Sequence, residues 1–93
     1  MRIVWSNKFK RSFRKITKKK TQLKEKIIIA LRLLANSPFT PSLKSHKLTG
    51  NLDKYWSCSV NYDYRIIFTF GEDMESNETL IILVDIGSHD EVY

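Results

Sequence analysis

Ninety-three residues carry 16 Lys/Arg against 10 Asp/Glu, a formal charge of +6, and 42 % of them are apolar. That length suits one core, since separate domains usually need on the order of 100 residues each, and the apolar share with five Phe, four Tyr and two Trp excludes a disordered basic tail. A single domain over residues 1–93 is expected. The charge is polarised: residues 1–50 hold 14 Lys/Arg against Glu25 alone, whereas 51–93 hold two Lys/Arg against nine Asp/Glu. A basic half of this kind predicts a polyanionic partner, nucleic acid before anionic membrane. The longest unbroken apolar stretches, Ile27–Leu31 and Leu80–Val84, have five residues each, too few to span a bilayer. With no signal-peptide pattern and Cys58 as the one cysteine, the expected compartment is cytoplasmic and no membrane partner is expected.

The elements follow from periodicity. Met1–Trp5 reads as a short strand, and Ser6 as an N-cap. Phe9, Phe13 and Ile16 fall on one helical stripe, with Lys8, Arg11, Arg14, Lys15 and Lys18 over the remaining surface. Lys18-Lys19-Lys20 interrupts the pattern, Thr21 is expected to cap a second helix, and Leu23, Ile27, Leu31 and Leu34 form its apolar stripe. Asn36-Ser37-Pro38 ends it, because the residue before proline disfavours helical backbone. A polar loop leads to His46, and strands are expected over Tyr55–Val60, Tyr64–Phe70 and Leu80–Ile86. The fold class is therefore α+β, a β-α-α-β-β-β chain with a helix hairpin packed on a mainly antiparallel sheet. Alternation puts Tyr64, Ile66, Phe68 and Phe70 on the core side with Leu80, Ile82, Val84 and Ile86, and leaves Asp63, Arg65, Asp85 and His89 sharing the opposite surface.

The sequence holds no Gly-rich phosphate loop, no HExxH and no nucleophile elbow, and His46 and His89 are its only histidines. No metal or cofactor is expected. Titratable residues beside a cationic surface suit RNA cleavage, because RNA brings its own nucleophile, the 2′-hydroxyl, and needs only a base, an acid and positive charge. Histidine as a residue type serves either proton role near neutral pH. Each residue also has a plain structural reading: an isolated histidine as a surface side chain, Arg65 as a cross-strand ion pair with Asp85, Tyr93 as a frayed end. Twelve Lys/Arg against only Glu25 within residues 1–35 favour polyanion binding over a merely solvated face.

Four segments together resemble a known family: Ser6-Asn-Lys-Phe-Lys-Arg-Ser-Phe-Arg-Lys15, His46-Lys-Leu-Thr-Gly50, Asp63-Tyr-Arg-Ile-Ile-Phe68 and Asp85-Ile-Gly-Ser-His-Asp-Glu-Val-Tyr93. In this order they look like the RelE/ParE superfamily of bacterial type II toxins, over nearly the whole chain, and the His-x-Leu-x-Gly and Gly-x-His features resemble its YafQ branch. The resemblance implies a RelE-like, microbial-RNase-like domain that cleaves mRNA on the ribosome and is inhibited by a cognate antitoxin in a hetero-oligomer. By position it makes His46, Asp63, His89 and Tyr93 the candidate catalytic residues: His46 and Asp63 for activating the 2′-hydroxyl, His89 as general acid, Tyr93 as an aromatic that stacks on a base. Tyr64 stands where that branch has a tryptophan. Arg65, Lys8, Arg11, Arg14, Lys15, Lys18, Lys19 and Lys20 are the candidates for rRNA and mRNA phosphates. Ser59 stands where the branch has a histidine, and Asp85 where it has an arginine near the phosphate. The alternatives are a ParE-like gyrase inhibitor and a non-catalytic RNA- or ribosome-binding module.

Overall fold

The computed structural model describes residues 1–52 and 54–92. The chain runs β1 (Arg2–Trp5), α1 (Asn7–Lys19), α2 (Thr21–Asn36), β2 (His46–Lys47), β3 (Trp56–Ser59), β4 (Tyr64–Glu72), β5 (Thr79–Ser88) and one terminal helical turn, α3 (His89–Val92). The sheet order is β1-β5-β4-β3-β2, antiparallel except for the parallel β1–β5 pair at one edge. The expected β-α-α-β-β-β order holds, with β2 and α3 added to it.

Ser6 sets the start of α1. Its Oγ accepts the Phe9 N–H at 3.1 Å, satisfying a donor that the helix leaves without a partner. The same hydroxyl donates to Val84 O and the Ser6 N–H donates to Leu83 O, both at 3.2 Å, so the cap also ties α1 to β5. Trp5 meets Phe9 and Phe13 edge-on, with centroids 4.9 and 5.0 Å away. The break between the helices falls at Lys20 (φ −126°, ψ 77°), and Thr21, expected as a cap, is instead the first residue of α2, whose N-cap position carries no side-chain bond. Leu23, Ile27, Leu31 and Leu34 are all buried as the stripe predicts. At the other end the Ser37 N–H donates to Leu33 O at 2.8 Å.

These helix stripes meet Ile66 and Phe68 of β4, Cys58 of β3 and Ile81, Leu83 and Ile86 of β5 in a single buried cluster. Burial pushes the Cys58 thiol up to about 12, which leaves it a small core hydrophobe rather than a nucleophile. The expected faces of β4 hold, and so does the core position of Ile86 in β5, but earlier in β5 the faces are reversed: Ile81 and Leu83 are the core residues, and Ile82 and Val84 are only partly buried. The cause is a bulge. Phe68 opposes Leu83 while Ile67 opposes Asp85, so Val84 is an extra residue and the alternation inverts across it. The bulged Val84 carbonyl is the one that takes the Ser6 hydroxyl. On the second face Ile67 is also buried, beneath a small cavity of about 200 Å3 lined by Leu48, Tyr55, Val84 and Val92.

Candidate active site

Where β4 begins and β5 ends, the hairpin register brings two distant segments together. Tyr64 opposes Ser88, and one residue further the His89 N–H donates to Asp63 O at 3.0 Å. The α1–α2 corner closes over this strand end, with Lys20 Nζ 5.0 Å from the centroid of the Tyr64 ring. The result is a cleft of about 510 Å3 lined by Lys20, Asp63, Tyr64, Arg65 and His89 among others. A second cleft of about 470 Å3 shares Lys20, Asp63 and Tyr64 with it and adds Lys19, Gln22 and Lys26. Acid–base groups and cations therefore share one concave surface.

The other candidates are dispersed. His46 pairs with Ser57, Ser57 with Ile67 and Ile67 with Asp85, which puts His46 on the sheet face away from the helix hairpin. It lies two strand spacings, roughly 10 Å, from β4 and about four residues, roughly 13 Å, along it from Asp63. Lys44, with left-handed backbone (φ 49°, ψ 41°), aims its carbonyl at His46 Nδ1, 3.1 Å away. A carbonyl only accepts, so Nδ1 carries a proton and Nε2 is the nitrogen available to a ligand. Tyr93 lies outside the described residues. The candidate helix cations are all exposed; Lys19 and Lys20 reach the clefts, while Lys8, Arg11, Arg14, Lys15 and Lys18 line neither.

Arg65 has a different set of partners from the expected ones. It opposes Gly87, not Asp85, and no Arg65–Asp85 ion pair forms. Its Nη1 donates instead to Asn61 O at 2.7 Å, Tyr62 O at 3.1 Å and Tyr64 O at 3.2 Å. The guanidinium thus braces the β3–β4 turn from within the cleft wall.

The family described as "Bacterial toxin of type II toxin-antitoxin system, YafQ" matches residues 1–93. The chain belongs to the YafQ toxin family. No curated protein matches it by sequence. Solved YafQ from E. coli strain BL21(DE3) is similar over 100 % of this chain and 99 % of that one, with 21 % identity and a TM-score of 0.78. A YoeB/ParE toxin from Agrobacterium tumefaciens is similar over 96 % and 99 %, with 20 % identity and a TM-score of 0.79. The E. coli DinJ–YafQ complex contains a chain similar over 100 % and 99 %, with 21 % identity and a TM-score of 0.76. These likenesses show the shared fold of YafQ and YoeB/ParE-like toxins.

In this YafQ-family chain Asp85 stands apart from the clefts. Ser12 Oγ donates to its Oδ1 at 2.7 Å, the Ile86 N–H to the same oxygen at 2.8 Å, and Lys8 Nζ lies 3.5 Å from Oδ2. The carboxylate fastens α1 to β5 beyond the end of β1. Asp85→Arg, which restores the charge that the resemblance leads one to expect, would remove the acceptor of Ser12 and set a cation beside Lys8. The expected result is a loss of about 1–3 kcal/mol in urea unfolding, mostly from the hydrogen bonds because Lys8 is exposed, with no gain in activity.

Among the other residues that line the clefts, Tyr62 and Lys26 did not stand out in the sequence. Lys26 is hidden among many lysines. Tyr62 carried a signal: an aromatic residue at the tip of a turn otherwise built of Asn and Asp.

Proposed function

We propose that this chain is a ribosome-dependent mRNA endoribonuclease, the toxin of a type II pair. The observation that carries the reading is the cleft in which Asp63, His89, Lys20 and Arg65 converge at one strand end. In this reading Asp63 takes the proton of a 2′-hydroxyl, whose oxygen attacks the adjacent phosphorus. The bond to the 5′-oxygen breaks, and His89 gives that oxygen a proton, leaving a 2′,3′-cyclic phosphate and a 5′-hydroxyl. Lys20, held over the Tyr64 face, stabilises the charge that builds on the phosphorane, and so supplies what the arginine at the Asp85 position would have given. His46 orients a flanking phosphate from the second sheet face, and Tyr93 stacks on a base.

The basic α1–α2 surface docks on rRNA through Lys8, Arg11, Arg14, Lys15 and Lys18, with Lys19 and Lys26 continuing it into the clefts. Binding to ribosomes is expected to weaken linearly on a log–log salt plot, and replacing Lys19, Lys20 and Lys26 by alanine is expected to flatten the slope by about one per lysine. Filter binding over a salt series measures both. A cognate antitoxin, as DinJ is seen with YafQ, would bring an acidic stretch to residues 8–26 and mixed charge to the rest. Inducing the chain in cells and mapping mRNA 5′ ends tests the whole reading. New ends within translated codons support it, whereas growth arrest with inhibited gyrase and intact transcripts would assign the chain to the ParE-like class. Ribosome association without cleavage or arrest would make it a binding module.

A further inference from the structure

The β3–β4 turn is fixed along its backbone and open at its tip. Asn61 Oδ1 accepts the N–H groups of Asp63 and Tyr64 at 3.0 and 2.8 Å, and Ser59 Oγ donates to Asn61 O at 2.9 Å. Arg65 Nη1 braces the carbonyls of Asn61, Tyr62 and Tyr64. Yet Tyr62, held by this frame, is 91 % exposed, more than any other large apolar side chain among the described residues. Its neighbour Tyr64 packs against the core and has Lys20 over its ring. Tyr62 meets neither a ring nor a cation among the described residues, and it lines the cleft beside Asp63 and His89.

We propose that Tyr62 is a stacking platform for the RNA base next to the scissile phosphate, and that it helps set which nucleotides the cleft accepts. The inference rests on the RNA reading of the cleft and adds a second base contact, on the β3–β4 turn, to the one that reading gives Tyr93. An exposed ring on a braced turn loses little freedom on binding, and its π-face suits any base, while Lys20 and Arg65 beside it suit the phosphate. A ring displayed in this way could also serve a protein partner, but a cationic rim and an open cleft favour a nucleotide.

The test uses a short oligoribonucleotide, 2′-O-methylated throughout so that no cleavage can occur, with 2-aminopurine at one position, whose fluorescence falls when it stacks. The full chain is expected to quench it. Tyr62→Ala is expected to abolish most of the quench and weaken binding roughly tenfold or more, whereas Tyr62→Phe, which keeps the ring, restores both to within about twofold. Equal quench and affinity for Tyr62→Ala and the unaltered chain would overturn the proposal. So would failure of Tyr62→Phe to restore them, or unchanged RNA binding with lost affinity for the antitoxin. Cleavage of translated mRNA is measured separately. A Tyr62-dependent quench in a chain that cuts no mRNA would refute the nuclease reading and still support the platform.

Discussion

His89→Ala is expected to slow mRNA cleavage by roughly two to four orders of magnitude, the usual weight of a positioned general acid. The fold should be unaffected. His89 is held by its backbone N–H to Asp63 O, a bond that alanine keeps. Its side chain is 61 % exposed, and the Asp90 carboxylate 3.9 Å away is itself fully in solvent, an ion pair of little consequence for stability. Loss of rate at unchanged thermal stability is therefore the signature. His46→Ala supplies the contrast: His46 lines neither cleft, so its removal should raise KM more than it lowers kcat. Single-turnover cleavage in a reconstituted translation mixture separates the two. Equal kcat for His89→Ala and the unaltered chain would remove His89 from the proton transfer.

The largest stability effect is expected at Phe68. The residue is fully buried at the centre of β4, edge-on to Phe70 with centroids 5.6 Å apart and alongside Trp56 at 6.5 Å. It opposes Leu83 at the residue where the bulge begins, so a cavity there loosens the helix-facing core and the register that aligns the strand end. Phe68→Ala is expected to cost about 3–5 kcal/mol, a large share of the roughly 5–15 kcal/mol available to a small domain. Ile29→Ala, at a position 48 % exposed on α2, should change stability by about 0.5 kcal/mol or less. Urea unfolding of the two variants measures the difference, and comparable midpoints would contradict the assignment of the core.

The helices were legible because both apolar stripes keep helical spacing and each has a local boundary signal, the Ser6 cap that starts α1 and Pro38 just past the end of α2. β4 was legible because Arg65, Thr69 and their neighbours alternate cleanly with Ile66 and Phe68. β5 was not, since Leu80–Val84 is apolar on both faces and nothing local reveals that Val84 bulges; that depends on Ser6, 78 residues away, taking its carbonyl. The two-residue β2 and the parallel partner of β1 are likewise set by strands remote in sequence. At the site, joining Asp63 to His89 required only the hairpin register. The partners of Arg65 required the shape of the turn, and Asp85 was drawn away by Ser12 and Lys8 on another element. The four residues expected to share one surface are thus divided: Asp63, Arg65 and His89 line a cleft, while Asp85 fastens a helix.

In the proposed mechanism the RNA's own 2′-hydroxyl is the nucleophile, deprotonated by Asp63 while His89 protonates the leaving 5′-oxygen in the same cleft. A programmed ribosome carrying an mRNA with a single 2′-deoxy nucleotide at the mapped cleavage site isolates that atom. Cleavage is predicted to vanish at the substituted position, and the unsubstituted message should give a 2′,3′-cyclic phosphate and a 5′-hydroxyl. Undiminished cutting at the deoxy position, or a 5′-phosphate on the product, would mean that water or another nucleophile attacks and would contradict the account.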